Sequence, residues 1–484
     1  MRQAILAVLG LFILTVWSQI PPPETYYYEQ KLDHFNPQDT RTFKEKYLVC
    51  SEYWKQGGPI FFYSGNEGEI ESFYYNTGFM FDIAPQYYGS SLPFGDDSFT
   101  PENLRYLTIE LAVADYAQFL TDWKSANHAE KNAVVVFGGS YGGILAAACR
   151  IHKYKYKYNL YFQKIFIYIY IFSNIQNPLV FFNLVTNDYN EVNAQCPEIV
   201  RQGYAEMISL AAGGQYNVIT DVFQLCSPVQ NEYDVTYLQL WARNAFLTMA
   251  MVDYPYSANF MGSLPAWPVN VSCDILLNYQ GYPMQALANA AGMYYNASAN
   301  NTLECFNITA EFIECADQTG CGLGNDAIAW DYQMCTEIVY GQDTNNVTDM
   351  FPPRIWELQN LTEYCQPKYG VTPEPSWMQI HGTVCIFLIF CSLVYFIFVC
   401  VIGGGYLTPP GPDDMPTVII PSGAHHLDLR ESNVADPPDV TAARATETQY
   451  ISSWLEEYQN SLADGYVMSA FQPVRIWGRT VKQT

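Results

Sequence analysis

The chain has 484 residues, of which 49% are hydrophobic and only 15% charged. That excludes disorder as the dominant state and fits one large domain or two ordinary ones. Forty-eight acidic against 23 basic side chains leave a formal net charge of −25; so negative a surface repels phosphate backbones and anionic lipid, which excludes nucleic acid as a partner.

The N-terminus reads as a secretory signal peptide over residues 1–18. Arg2 supplies the positive charge, and Ser18 is a small residue at the cut. Between them Ala4 to Trp17 is an unbroken apolar run, shorter than the roughly 20 residues that span a bilayer. The next strong signal covers residues 131–148. Val134 to Phe137 is a short β-branched strand, Gly138-Gly139-Ser140-Tyr141-Gly142 is a G-x-S-x-G turn, and Ile144 to Ala148 continues as an Ala-rich helix. A serine on so sharp an elbow has strained backbone angles and needs neighbours without side chains. The backbone amide of Tyr141, at the helix start, is placed to stabilise an oxyanion. A phosphate-binding loop would need a lysine in the Walker position, and none follows. Ser140 is therefore read as a nucleophile.

Secretion changes the reading of the 13 cysteines. Eight of them, Cys196, Cys226, Cys273, Cys305, Cys315, Cys321, Cys335 and Cys365, lie in one block and read as disulfide partners. No CxxC pair points to zinc, so neither a metal nor a cofactor is expected. Six N-x-S/T sequons, at Asn270, Asn296, Asn300, Asn307, Asn346 and Asn360, fall between residues 270 and 362 and indicate a single glycosylated surface. The expected endpoint is the exterior or the lysosome.

A nucleophilic serine needs a base, normally histidine. Of the six histidines, His34 and His128 come too early for the order Ser, acid, His found in α/β hydrolases. His152 falls in the elbow helix or just after it, and His381 opens an apolar stretch. His425 and His426 remain, on a loop just after the strand-like Thr417 to Ile420.

These residues carry a resemblance. Gly138 to Gly143 and Gly423-Ala-His-His-Leu-Asp-Leu-Arg430 together resemble the serine peptidase family that contains lysosomal Pro-X carboxypeptidase and dipeptidyl peptidase II. Leu32-Asp-His-Phe-Asn36, Gly57 to Gly68, Tyr332 to Glu337, Tyr364 to Gln366 and the closing helix around Trp454 resemble it too. The resemblance implies an α/β-hydrolase fold with an inserted helical cap domain. The hydrolase domain would cover residues 19–189 and 366–484, and a glycosylated, disulfide-rich cap residues 190–365. It implies the pairs Cys196–Cys273, Cys226–Cys305 and Cys335–Cys365, which leaves Cys315 and Cys321 to close a local loop. The implied activity is cleavage of short peptides after proline, foremost as a Pro-X carboxypeptidase, with Ser140 as nucleophile and the first histidine, His425, as base. Asn66 and Glu67 would border the cleft. The alternatives are a dipeptidyl peptidase of the same family and a catalytically inactive secreted glycoprotein. Short proline-containing peptides are the expected partners, a membrane is not, and the oligomeric state is open, a homodimer included.

Three departures from the family pattern bear on the mechanism. The Glu-His-Arg strand expected before Tyr87-Tyr-Gly is missing. Residues 152–172 replace a core strand with Lys, Tyr, Asn, Ile and Phe. Residues 383–402 are twenty uncharged residues where the family's Asn-Gly-x-x-Asp-Pro-Trp motif would carry the triad acid. That last stretch has the length of a membrane span, yet a crossing there would separate Ser140 from His425. The A/T-rich codon usage implied by residues 152–172 favours translated intron sequence for both odd segments. Asp413 and Asp414 could replace the acid only through a rearranged loop, so no triad acid is assigned.

Overall fold

The computed structural model describes residues 20–79 except Tyr53, 91–151, 178–377 except Gln280, 398–401 and 417–463. The expected signal peptide, residues 80–90 and 152–177, His152, His381, Asp413 and Asp414 lie outside the described residues.

Strands β1 (Glu24–Lys31) and β2 (Thr42–Val49) form an antiparallel hairpin paired from Glu24↔Val49 to Lys31↔Thr42. The site is built on a second, parallel pair. β3 (Ile60–Tyr63) runs beside β4 (Val134–Phe137), with Ile60 opposite Val134 and Tyr63 opposite Phe137. All four residues of β4 are buried, as an unbroken apolar run requires of a strand covered on both faces. Helix α1 (Ile70–Asn76) follows β3. Helix α2 (Ile109–Ala126) starts where the Thr108 hydroxyl accepts from the Leu111 amide at 3.2 Å. It packs under the parallel pair, with Tyr116 edge-on to Phe62 at 5.2 Å. Helix α3 (Tyr141–Ile151) leaves β4 through Ser140.

Between α3 and the last parallel pair lies a helical block. Its main helices are α4 (Val180–Val192), α5 (Gln195–Ala212), α6 (Glu232–Met251), α7 (Pro268–Asn278) and α8 (Pro283–Ser298). A short hairpin of β5 (Ala258–Asn259) and β6 (Ser263–Leu264) joins α6 to α7. Proline at the first position opens α7 and α8, where a missing amide costs nothing. The block's centre is Trp241, fully buried and stacked on Tyr295 at 4.3 Å. Truncating a buried side chain of that size costs about 3–5 kcal/mol.

Four disulfides form: the three pairs implied by the resemblance, Cys196–Cys273, Cys226–Cys305 and Cys335–Cys365, and the leftover local pair Cys315–Cys321. The first two close loops of 77 and 79 residues, each worth roughly 4 kcal/mol in the chain-entropy picture. Cys196–Cys273 ties α5 to α7. Cys335–Cys365 ties the end of α9 (Asn325–Met334) to α10 (Leu358–Tyr369). Buried Asp331 pins the same region, accepting from the Ala316 amide at 2.7 Å and from Tyr364, Tyr369 and Lys368 at 2.6–2.8 Å. Five of the six sequon asparagines are exposed, while Asn296 is half-buried and accepts from the Leu303 amide at 3.2 Å.

Of the uncharged stretch 383–402, residues 398–401 are described, and they form β7 (Phe398–Val401), a strand of this fold. It pairs in parallel with β8 (Thr417–Ile420), Phe398 opposite Thr417. Among the described residues no helix is long and apolar enough to cross a membrane. β8 delivers the chain to the histidine loop, and α11 (Pro438–Ala463) closes the described chain.

Candidate active site

The elbow has the geometry its glycines imply. Ser140 stands at φ 55°, in the left-handed region, a strained position for a residue with a side chain. A Cβ on Gly138 would lie 2.0 Å from the Gly142 carbonyl oxygen, and one on Gly142 would lie 2.2 Å from the Gly65 carbonyl oxygen. Any side chain at either position would force strand, turn and helix apart. The strain is held by the loop after β3. Ser64 Oγ lies 2.7 Å from the Gly142 carbonyl oxygen and 3.0 Å from that of Phe137, and the Tyr116 hydroxyl donates to the Ser64 carbonyl at 2.6 Å. Asn66 Nδ2 donates to the Gly139 carbonyl at 2.7 Å and lies 3.3 Å from Glu67 Oε2, while Tyr63 donates to Asn66 Oδ1 at 2.6 Å. Asn66 and Glu67 therefore sit beside the elbow, as expected, and Asn66 is one of its struts. Tyr141 begins α3, which places its amide at the helix N-terminus. Its ring is buried, and its hydroxyl accepts from Gln333 Nε2 at 2.7 Å.

The histidine loop reaches the same place from the other end of the chain. A Cβ on Gly139 would lie 2.4 Å from His426 Nε2, so the second histidine packs on the residue before the nucleophile. His426 has a left-handed backbone, φ 65°. Its ring packs against Phe260 at 5.7 Å and Phe73 at 6.5 Å, and the His425 ring stacks on it at 4.3 Å. Both histidines are buried. Burial pushes the His425 pKa down to about 4. His426 is pushed well below the ordinary imidazole value, by burial first and then by the charges of His425 and Arg430, with the Gly139 backbone opposing.

The backbone of this loop is held from several parts of the fold. The His425 amide donates to the Met251 carbonyl at 2.8 Å, and the His425 carbonyl accepts from the Tyr254 hydroxyl at 2.6 Å. Arg444 holds the carbonyls of Leu427 and Asp428, the latter at 2.8 Å, and the Phe79 amide holds that of Leu429 at 2.9 Å. Sequence reasoning missed Met251, Tyr254 and Arg444, because no local pattern links them to a loop so distant in the chain.

Of the two early histidines, His34 has a buried side chain that pairs with Asp115 at 2.8 Å. Among the described residues the one cluster with metal-like spacing is Cys315, Cys321 and Asp331. Its two sulfurs are consumed in a disulfide, so this donor set does not fit a metal.

A strained serine at a strand-to-helix turn, a helix N-terminal amide next to it and a buried histidine pair beside it define a serine hydrolase of the nucleophile-elbow kind. Residues 30–161 and 168–382 match the family described as Serine carboxypeptidase S28. The chain is 35% identical over 488 residues to lysosomal Pro-X carboxypeptidase of Homo sapiens, covering 95% of each chain. It is 36% identical over 456 residues to the Bos taurus protein of that name, covering 89% of this chain and 88% of the other. Against the putative serine protease pcp-1 of Caenorhabditis elegans the identity is 34%, over 90% of this chain and 84% of that one. The chain belongs to the S28 serine carboxypeptidase family and is a serine-type peptidase with an α/β-hydrolase-type fold.

Proposed function

We propose that this protein is a Pro-X carboxypeptidase of the lysosome or secretory pathway, releasing the residue that follows proline at the C-terminus of short peptides. The single observation that carries the reading is 35% identity across 95% of the chain to a relative of that name, in a chain whose elbow strain and elbow glycines are intact. Ser140 Oγ attacks the carbonyl carbon of proline while His425 takes its proton. The Tyr141 amide holds the resulting oxyanion, and the histidine returns the proton to the departing amine. Water then hydrolyses the acyl-enzyme by the same route in reverse.

His425 is taken as the base because it is the first histidine of the Gly423 to Arg430 motif that resembles the family's, and burial keeps both imidazoles neutral well into the acid range. His426, wedged among Phe73, Phe260 and Gly139, is the packing partner that orients it. Residues 190–365 serve as the cap over the cleft, glycosylated at the six sequons, and residues 1–18 as the signal peptide.

The test is product analysis of peptides ending in Pro-Phe, with the carboxylate free or amidated and the N-terminus free or acetylated. The expected result is release of Phe from free-carboxylate peptides whether or not the N-terminus is blocked, and its loss in Ser140→Ala. Release of dipeptides only from peptides with a free amine would replace this reading with a dipeptidyl peptidase. No turnover of any peptide would leave an inactive glycoprotein.

A further inference from the structure

The peptide group that joins the two histidines is held from the helical block. Its carbonyl, that of His425, accepts from the Tyr254 hydroxyl at 2.6 Å. One peptide earlier, the His425 amide donates to the Met251 carbonyl at the end of α6 at 2.8 Å. Tyr254 is itself fixed: it is 1% exposed, its carbonyl accepts from the Trp267 amide at 2.7 Å, and the Arg430 guanidinium lies 4.5 Å over its ring. Arg430 also reaches Asn76 Oδ1 at 3.0 Å, in helix α1 of the core. The peptide so held leads directly into His426, whose left-handed backbone is a conformation a β-carbon-bearing residue keeps only when its surroundings impose it.

We infer that Tyr254 is a positioning residue for the histidine pair, and that through it the helical block sets the base against Ser140. The assignment rests on the peptidase reading above but not on which histidine carries the proton, since the peptide held is the one between them. Docking of the block and assembly of the site become one event. A block that lifted away would release the His425 amide and carbonyl together and let the left-handed turn relax. Proton transfer from Ser140 depends on sub-ångström placement, so a loosened histidine lowers turnover before it lowers substrate binding.

The experiment compares the full chain with Tyr254→Phe, which removes only the hydroxyl, and with Tyr295→Phe as control. Tyr295 makes the same kind of bond inside the block, its hydroxyl donating to the Trp241 carbonyl at 2.8 Å, away from the histidine loop. Three readouts are taken: kcat and KM on a Pro-Phe peptide, the rate at which a fluorophosphonate modifies Ser140, and Tm. Tyr254→Phe is expected to lose about tenfold in kcat and in modification rate, with KM within about twofold. Tyr295→Phe is expected to lower Tm with both rates kept. A Tyr254→Phe enzyme that loses Tm but keeps both rates overturns the inference, because the hydroxyl is then structural only. If Tyr254→Phe does not fold, Arg430→Lys, which removes the guanidinium from the Tyr254 ring, carries the test: a slower modification rate supports the inference, and an unchanged one overturns it. Should the parent chain be modified at Ser140 yet cleave no proline peptide, the substrate reading fails and the modification rates still decide the role of Tyr254. A parent chain that is not modified at all removes both.

Discussion

The elbow and the histidine loop meet at Gly139 but are built in opposite ways. The elbow is a local object. A strand, a glycine-flanked turn and a helix within eighteen residues set the angle of Ser140, and one neighbouring loop, Ser64 to Glu67, braces it. The local structure of the histidine loop is a turn after β8 and one 3₁₀ turn at Leu427–Leu429. It is held by Met251 and Tyr254 of the helical block, by Phe79 after α1 and by Arg444 of α11. A nucleophile can thus be specified by a short motif, while its base must be specified by the whole fold.

The comparison breaks most sharply at the two histidines. His425→Ala should lower kcat by about 10⁴, the scale of losing a triad member, and His426→Ala by about 10² or less, as loss of a packing partner. Steady-state kinetics with a Pro-Phe peptide separates them, and the reverse order would move the base to His426. Gly142→Ala should come next. Its Cβ would meet the Gly65 carbonyl oxygen, a backbone atom that cannot swing aside. Overpacking of this kind costs about 1–3 kcal/mol, read as a lower urea midpoint together with a fall in kcat. An unchanged midpoint would show that the elbow is looser than its glycines imply.

The difference between the two regions also governs what the sequence revealed. The elbow, with Ser140 in a left-handed backbone between glycines, was legible because it lies within a few residues and each glycine answers a steric need. The histidine pair was legible by elimination among six histidines and by chain order. The disulfide pairing came with the family resemblance, since cysteine spacing alone leaves the connectivity open. What stayed hidden was long-range: Tyr254 reads as one of 39 tyrosines, and its bond to His425 spans 171 residues. Strand β7 was masked for a different reason. Its four residues sit at the end of an apolar run whose length and polarity match a membrane span, and only its pairing with β8 marks it as part of the sheet.

Two further predictions have smaller effects. Because burial lowers the His425 pKa to about 4, its neutral, basic form persists in acid. The acid limb of kcat/KM against pH should therefore fall near pH 4, where an exposed histidine would place it near 6.5. A limb near 6.5 would mean that the base is solvated. The smallest effect lies in the core hairpin, where buried Glu45 accepts from Gln30 Nε2 at 3.0 Å. Burial, and then the charge of Asp115, raises its carboxyl well above the ordinary range. A folded-state pKa above the unfolded value contributes stability that is complete below the unfolded carboxyl range and is lost as pH rises through the folded value. Glu45→Gln should therefore cost stability at low pH and progressively less, or none, as pH approaches neutrality. A thermal-melt series from pH 4 to 7 checks this, and parallel curves would contradict it.

The central claim is that Ser140 is an activated nucleophile in this chain as it stands. The most direct measurement is mass mapping after treatment of the full chain with a fluorophosphonate at acidic pH. A single phosphonyl adduct is expected, on Ser140, forming at least about 10³-fold more slowly in His425→Ala. No adduct, an adduct on another residue, or an undiminished rate in His425→Ala would contradict it.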